Sequence, residues 1–322
     1  MAAMSKIAAA ILLLLTPHVA EANIHAAQLQ QVSLPASFTL VYEMTDRDIS
    51  SSEQRDAAAD SVRKGYEWMV AHGSMTQQQA EWSITHILPN IRAPRPAVTY
   101  IVTLSARDGK LFCRRQNRNK SNNKAGVLNE MLIYDGKQSF IMQNRRMEVT
   151  PGFAITSVAP CPIPAASIPF VPLIKNPVAV GASTGLETFT GDVPCLDGNA
   201  TSGISPPDIL FEPGEVRLTT AGGRAKILEI KTIKGGKVST RWQYTNSRLF
   251  NSHWIATDMT WTSYQDGLPY KACVFHLQSM SMNPLPVKQF DGSHWTTPVA
   301  GLIVHQGWKA IVIDNNLQLG DI

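Results

Sequence analysis

The residues best suited to covalent chemistry form the string Gly181–Gly185 (GASTG), which matches the G-x-S-x-G pattern of serine hydrolases. In those enzymes a strand delivers the serine onto a strained turn, and a helix follows it. Val178–Val180 supplies a candidate strand, but Leu186–Thr190 is short and β-branched, and it predicts no helix. We therefore interpret the string as a Gly/Ser turn. A serine hydrolase using Ser183 and His276 is kept as the third of three functional hypotheses.

The histidines and cysteines show no metal-binding spacing. The chain contains neither H-E-x-x-H nor C-x-x-C, and it lacks P-loop and dinucleotide-binding glycine patterns. No catalytic residue, metal or cofactor is therefore predicted. His276 lies within a predicted strand, where it is either a hydrogen-bonded core residue or a general base.

A basic stretch, Arg114–Lys124 (RRQNRNKSNNK), carries five basic residues and no acidic one. It is either a solvated hairpin tip or a patch for an anionic surface or an acidic partner, because clustered positive charge raises the local potential. The formal net charge of the chain is +4, which is too small to indicate nucleic-acid binding.

The first 22 residues have the pattern of an export signal. Lys6 gives a positive start, Ile7–Leu15 is an apolar run too short to span a bilayer, and Ala20–Ala22 (AEA) is a cleavage signal. The predicted organisation is a signal peptide at 1–22 and a single β-rich domain at 23–322. No later apolar run predicts a transmembrane anchor, so the expected location is periplasmic or secreted.

Export makes disulfide formation available to the four cysteines. Cys161 and Cys195 both lie beside prolines in predicted loops, so a Cys161–Cys195 disulfide is predicted. Cys113 and Cys273 lie within strand patterns, and their pairing is the alternative.

Two antiparallel hairpins are the most regular part of the predicted fold and position the residues named above. Lys226–Lys234 is a predicted strand, Gly235-Gly236 a two-residue turn, and the return strand alternates apolar and polar residues through Tyr244. A second hairpin, Trp254–Met280, turns at Asp266-Gly267. This period of two predicts a sheet with one apolar face.

A helical insertion is predicted at about 50–90, after a first strand at Ser37–Asp46. Two capping boxes, at Ser50–Glu53 and Thr76–Gln79, open helices whose apolar stripes are expected to pack against the sheet. Trp68 and Trp82 are interpreted as core residues, with an aromatic ligand site as the alternative.

A long apolar segment, Phe153–Ile174, has five prolines and no charged residue. Proline at this density excludes a long helix and a central strand, so the segment must be extended and must cover something apolar. The predicted fold is therefore mainly β (α+β). It consists of a large curved antiparallel sheet, or incomplete barrel, with a helix pair and a Pro-rich apolar lid.

The order of hairpins resembles the LolA/LolB-like superfamily of periplasmic lipoprotein carriers. The resemblance rests on Tyr134–Lys137, on Lys226–Lys234 running into Arg241–Tyr244, and on the strands Ile255–Trp261 and Lys271–Leu277. It implies an incomplete barrel over an apolar cavity, lidded by helices and loops, in a relative of these carriers.

The first functional hypothesis is an exported carrier or sensor that holds a lipid or acyl chain against the concave face. The second is a protein-interaction module with a filled core. The residues predicted to line the ligand cavity are Tyr100, Val102, Phe112, Phe140, Phe170, Trp242, Tyr244, Trp261 and Phe275.

Overall fold

The computed structural model describes residues 29, 35–118, 130–143, 146–153, 162–164, 168, 171–183, 185–194, 211–221, 224–292, 301–306 and 309–313. Two helices, α1 (Ser52–Ala71) and α2 (Gln77–Arg92), and a 3-10 helix at Val287–Phe290 accompany the strands. The strands are β1 (Phe38–Asp48), β2 (Val98–Arg107), β3 (Lys110–Asn117), β4 (Glu130–Tyr134), β5 (Gln138–Gln143), β6 (Arg146–Pro151), β7 (Lys175–Ser183), β8 (Leu186–Pro194), β9 (Phe211–Ala221), β10 (Arg224–Lys234), β11 (Lys237–Phe250), β12 (His253–Gln265), β13 (Leu268–Ser281), β14 (Gly301–Gln306) and β15 (Lys309–Ile313).

Two antiparallel meanders form one curved, open sheet. Strands β2 to β6 make the first meander and β7 to β13 the second, and β1 joins them by pairing with both β2 and β13. Within the described residues the order is linear, with β15 and β7 at its two ends. The β6–β14 pair is parallel, whereas the neighbours throughout both meanders are antiparallel. The predicted mainly β fold is confirmed.

The predicted turn residues adopt the backbone that hairpins require. Gly235 and Gly236 have φ of 58° and 76°, and Asp266 and Gly267 have φ of 54° and 85°. Positive φ at both central residues is the type I′ geometry, whose twist matches that of paired strands. These two turns therefore fix the registers of β10 with β11 and of β12 with β13.

The second helix begins at its predicted capping box, Thr76–Gln79, whereas the first begins one residue later than the predicted Ser50–Glu53 box, with the N-cap at Ser51. Ser51 and Thr76 accept hydrogen bonds from the backbone N–H groups of Gln54 and Gln79, and both glutamines return the bond. The second helix runs past Pro89 to Arg92, because a proline in the last turn removes a single hydrogen bond.

The expected packing of the helices on the sheet is wrong. Neither helix makes an extended contact with a strand, and the main apolar cluster contains no residue of α1 or α2. The two apolar stripes instead meet each other, which buries Ala59 on one helix and Ala80, Ser83 and Leu88 on the other. The insertion is a helical hairpin that leaves the sheet between β1 and β2.

Two glycines lie within the paired strands β8 and β9. Gly191 and Gly214 face each other across β8 and β9. A Cβ atom on Gly214 would lie 2.2 Å from the Lys231 carbonyl oxygen, and one on Gly191 would lie 2.5 Å from the Lys175 oxygen. Glycine is therefore needed here for close backbone approach within a sheet.

A charged cluster ties β9, β10 and β11 together on the face opposite the main core. The Glu229 carboxylate, whose side chain is 5% exposed, pairs with Arg217, Lys231 and Arg241. Burial raises the pKa of Glu229, but the hydrogen bonds from Arg241 and Lys231 outweigh it and hold that pKa below its ordinary value. The ionised carboxylate therefore stabilises the fold.

We expect Glu229→Gln to lower the free energy of unfolding by about 1–3 kcal/mol at pH 7, because three cations then face a neutral amide. The folded-state pKa is the lower one, so this stability is present above the unfolded-state pKa and is lost as pH falls through the folded-state value. Urea unfolding of both chains at several pH values measures the difference. A difference that stays constant down to strongly acidic pH, or equals that of the exposed Glu67→Gln control, contradicts the assignment.

Candidate functional site

One face of the sheet, called here the inner face, carries a continuous apolar surface. Cross-strand register places its residues in rows: Met44 faces Phe275, Phe275 faces Met259, and Met259 faces Tyr244. In the adjacent row Trp242 faces Trp261. Each of these six side chains is buried, with an exposed fraction of at most 6%. The period of two in the strands thus builds one apolar wall across the two meanders.

Aromatic rings on the inner face meet across more than one strand. The Trp242 and Phe275 rings are 5.6 Å apart between centroids, although their strands are second neighbours. The Tyr42 ring meets Phe275 edge-on at 6.1 Å, and Trp242 stacks on Tyr244 at 6.3 Å. These side chains make the centre of the inner face aromatic.

Three polar atoms lie within this apolar surface, and they differ in their hydrogen bonding. The Tyr42 hydroxyl donates to the Ala256 carbonyl oxygen at 3.0 Å. Among the described residues, the Tyr244 hydroxyl and the Trp261 Nε1–H are buried and have no hydrogen-bond partner. Tyr244 and Trp261 are diagonal neighbours on β11 and β12, a relation that places Cβ atoms roughly 7 Å apart. Two unsatisfied donors therefore belong to diagonal neighbours on adjacent strands of the inner face.

Burial keeps both tyrosines in their neutral, donating form. Desolvation raises the pKa of Tyr244 far above its ordinary value, and the nearby Tyr42 raises it further. Desolvation likewise raises the pKa of Tyr42. A buried donor without an acceptor costs about 1–3 kcal/mol, so such groups call for an acceptor.

The predicted apolar lid, Phe153–Ile174, is called here the covering segment. Its described residues include Ile163 and Ile168, both 1% exposed, and Val171, 5% exposed. They belong to the same apolar cluster as Trp242 and Phe275 on the inner face. The described part of the segment forms no strand, and a turn bond joins the Val171 N–H to the Ile168 carbonyl oxygen. Side-chain burial, with no ladder in its described part, holds the segment against the sheet.

The structure brings together most, but not all, of the predicted cavity residues. Those on the inner face are Tyr100, Val102, Trp242, Tyr244, Trp261 and Phe275. Phe112 and Phe140 belong instead to a second cluster on the opposite face, where Phe290 of the 3-10 helix covers them. The sequence analysis placed both in the ligand cavity, and the strand register corrects this for Phe112. Cys113 pairs with Leu104 of the inner face, so the adjacent Phe112, which pairs with Ser105, points to the opposite face. Phe170 lies outside the described residues.

Some inner-face residues were missed by the sequence analysis. Tyr42 and Met44 alternate with polar residues in β1, so the period of two could have found them. Arg115, predicted in the basic stretch, points to the inner-face side, where it pairs with Glu130 and lies 4.6 Å from the Tyr100 ring centroid. The pair is largely buried, at 16% and 4% side-chain exposure, and it forms a polar margin to the apolar surface.

The rest of the predicted basic patch is only partly described. Arg118 pairs with Glu43, and burial lowers the pKa of Arg114. Lys120 and Lys124 lie outside the described residues. A role for Arg114–Lys124 in binding an anionic surface or an acidic partner stays a prediction.

The two residues of the hydrolase hypothesis are far apart. Ser183 ends β7 at the edge of the sheet, and His276 lies on β13, six strands away in the sheet order and so roughly 29 Å along the sheet. The first three residues of the G-x-S-x-G string, Gly181–Ser183, end β7 and pair with β8, and Gly185 directly precedes β8 with a φ of 79°. Ser183 and His276 cannot form a catalytic pair.

His276 instead belongs to a polar row on the outer side of the sheet. Its Nδ1 lies 2.6 Å from the Oδ1 atom of Asp258. The Oδ2 atom of the same carboxylate accepts a hydrogen bond from the Asn246 amide at 2.9 Å. Hydrogen bonds from His276 first, and then from Asn246, lower the pKa of Asp258. His276, Asp258 and Asn246 occupy successive paired positions on β13, β12 and β11, so the row stabilises strand pairing.

The predicted Cys161–Cys195 disulfide lies outside the described residues and stays a prediction. The alternative Cys113–Cys273 disulfide is excluded by the strand register. Cys113 lies in the same cross-strand row as Leu104, Leu40 and Met280, three strands away from β13, and Cys273 lies a further seven residues along β13 from Met280. A disulfide requires Cα atoms within about 7 Å.

The described part of the chain contains neither a cluster of metal-binding side chains nor a helix that spans a membrane. No group of three or more His, Cys, Asp or Glu residues there could hold a metal ion. No helix in the same residues is long and apolar enough to cross a membrane.

No protein-family model matches this chain, and no curated protein matches it. Among solved structures, a DUF1329 family protein from Desulfovibrio piger aligns with 83% of this chain and 94% of its own, at 9% identity and a TM-score of 0.37. A LolA superfamily protein from Nitrosomonas europaea aligns with 82% of this chain and 94% of its own, at 7% identity and a TM-score of 0.45.

Proposed function

We propose that this protein is an exported carrier or sensor that holds an acyl chain or similar lipid between the inner face and the covering segment. The observation that carries the proposal is the pair of buried donors, the Tyr244 hydroxyl and the Trp261 Nε1–H, which have no partner within the described part of this largely apolar surface. An acyl ester, amide or carboxylic acid supplies an apolar tail and the acceptor that these donors need.

The surrounding residues support the same ligand chemistry. Trp242, Met259 and Phe275 offer flat and adaptable apolar surface on either side of the two donors. The Arg115–Glu130 pair lies on the same side of the sheet, in β3 and β4, away from the aromatic centre. The tail would lie along the aromatic rows and the acceptor would lie near β11 and β12.

The test compares two fluorescent probes that differ in their acceptor. cis-Parinaric acid is a polyene fatty acid with a carboxyl group, and diphenylhexatriene is a hydrocarbon without one. We expect Tyr244→Phe and Trp261→Phe each to weaken parinaric acid binding about fivefold to thirtyfold, the equivalent of one hydrogen bond of 1–2 kcal/mol. Binding of diphenylhexatriene should change little in Tyr244→Phe, which keeps the ring.

Tyr42→Phe is the matched control, because the Tyr42 hydroxyl already donates to the Ala256 carbonyl oxygen. It should lower stability, since it leaves that oxygen unpaired, without weakening parinaric acid binding. If the wild-type chain binds neither probe, its core is filled and the interaction-module hypothesis is favoured. If Tyr244→Phe binds parinaric acid as tightly as the wild type does, the two donors do not form the acceptor site.

A further inference from the structure

The helical hairpin of α1 and α2 exposes two tryptophans near its tip. Trp68 and Trp82 are 60% and 61% exposed, among the largest exposed fractions of the large hydrophobic residues in the described chain. Trp68 lies three residues before the end of α1 and Trp82 five residues after the start of α2. Both indoles are therefore within about one and a half helical turns of the connecting loop. They are neither the core residues nor the shared aromatic site of the sequence hypotheses.

The two tryptophans face away from each other. At about 100° per residue, Trp68 lies about 180° around α1 from the buried Ala59. By the same measure Trp82 lies about 200° around α2 from the buried Ala80. Because the buried sides are where the helices meet, one indole projects from each outer side of the hairpin. A protein groove that contacts one side would bury one of them, whereas a surrounding medium would bury both.

Each indole is held in place by a histidine one turn later in its own helix. The His72 ring stacks on Trp68 with centroids 4.1 Å apart, and the His86 ring stacks on Trp82 at 4.5 Å. The Nδ1 atoms of both histidines lie within hydrogen-bonding distance of the tryptophan carbonyl oxygens, at 2.8 and 2.7 Å. The repeated W-x-x-x-H pattern therefore fixes two exposed rings, which lowers the entropy lost when they are buried.

Charge is distributed unequally along the hairpin. The tip, Trp68–Ala80, contains no Lys, Arg, Asp or Glu, and Glu67 and Glu81 flank it. The base is charged and cross-linked, with Arg92 of α2 lying 3.2 Å from Asp56 and 3.6 Å from Asp60 of α1. The uncharged tip begins at Trp68 and ends two residues before Trp82, above a charged base, and this order matches the gradient of polarity between a bilayer interface and water.

We propose that the tip of this hairpin docks the protein onto a lipid bilayer, with Trp68 and Trp82 in the interfacial layer on opposite sides of the tip. The hairpin makes no extended contact with the sheet, so the tip can enter the interface without disturbing the inner face. The proposal concerns where the protein is held and does not require a ligand on the inner face. It gives the exposed tryptophans a function that helix packing does not.

The experiment uses the chain from Asn23 and vesicles of 70% phosphatidylcholine and 30% phosphatidylglycerol. We expect the wild-type chain to sediment with the vesicles, and shallow brominated lipids to quench its tryptophan fluorescence. Trp68→Ala/Trp82→Ala should lower the partition coefficient at least tenfold and each single variant should lower it in part. Leu249→Ala, which removes another exposed apolar side chain, should leave it unchanged.

A charge at the tip separates interfacial docking from attraction to anionic lipid. Gln78 is exposed in the first turn of α2, so Gln78→Glu and Gln78→Lys should both weaken binding if the tip enters the interface. The proposal is overturned if Gln78→Lys strengthens binding, if the double tryptophan variant binds like the wild type, or if the wild type does not bind. Circular dichroism checks that each variant is folded. The tryptophan-to-alanine variants should keep their helix content, because alanine favours the helix.

Discussion

Replacing Ile163 and Ile168 by alanine should open the covering segment and raise the binding of a hydrophobic dye severalfold. Both side chains are 1% exposed within the inner-face cluster, and such truncations cost about 2–5 kcal/mol each. The described part of the segment lies outside the strand ladder, so the loss should fall on its docking and not on strand pairing. Fluorescence of bis-anilinonaphthalene sulfonate, read beside far-ultraviolet circular dichroism, measures both effects.

Val178→Ala is the control, because Val178 is 60% exposed on the edge strand β7. It should change neither the dye signal nor the sheet signal. If the double isoleucine variant instead loses the sheet in a single transition, without a dye-binding folded state, the segment is part of the core and does not act as a lid.

Gly214→Ala should destabilise the protein by about 3 kcal/mol or more. Its Cβ atom would lie 2.2 Å from the Lys231 carbonyl oxygen and 2.4 Å from a Val193 methyl group. Neither neighbour is the free end of a flexible side chain, so β9 must move away from β8 and β10. The free energy of urea unfolding is the quantity to compare.

Gly181→Ala is the matched substitution in β7, the edge strand of the same meander. Nothing lies within 4 Å of the Cβ atom it would add, so it should be neutral or slightly stabilising. Equal stabilities for the two alanine variants would show that the close approach at Gly214 does not limit the sheet.

The local signals that predicted the fold are those with a direct physical cause. The Gly-Gly and Asp-Gly turns were correct because few other residues adopt positive φ. The Thr76–Gln79 capping box was correct because its hydrogen bonds are local, whereas the first box lies one residue later than predicted, at Ser51–Gln54. Strands β8 and β9 were missed because Gly191 and Gly214 are usually evidence against strands. Only the paired register reveals that these glycines allow close approach.

The inner face could be predicted where one strand's alternation decided it, as for Trp242 and Tyr244 in β11. Phe112 and Phe140 were placed on the wrong face because β3 and β5 are apolar on both sides. In such strands the period of two carries no information about which face is inner.

The packing partner of each helix could not be predicted from the sequence, for a different reason. An apolar stripe shows that a helix must be buried against something, but not against what. The stripes of α1 and α2 satisfy each other around Ala59 and Ala80, which leaves Trp68 and Trp82 exposed.

Native mass spectrometry of the chain freshly purified from an export-competent host tests the carrier proposal most directly. The proposal predicts an adduct with the mass of a molecule bearing an acyl chain, and it predicts that Tyr244→Phe and Trp261→Phe carry less of it than Tyr42→Phe does. A chain that carries no adduct, and takes up no parinaric acid when that lipid is supplied, would contradict it.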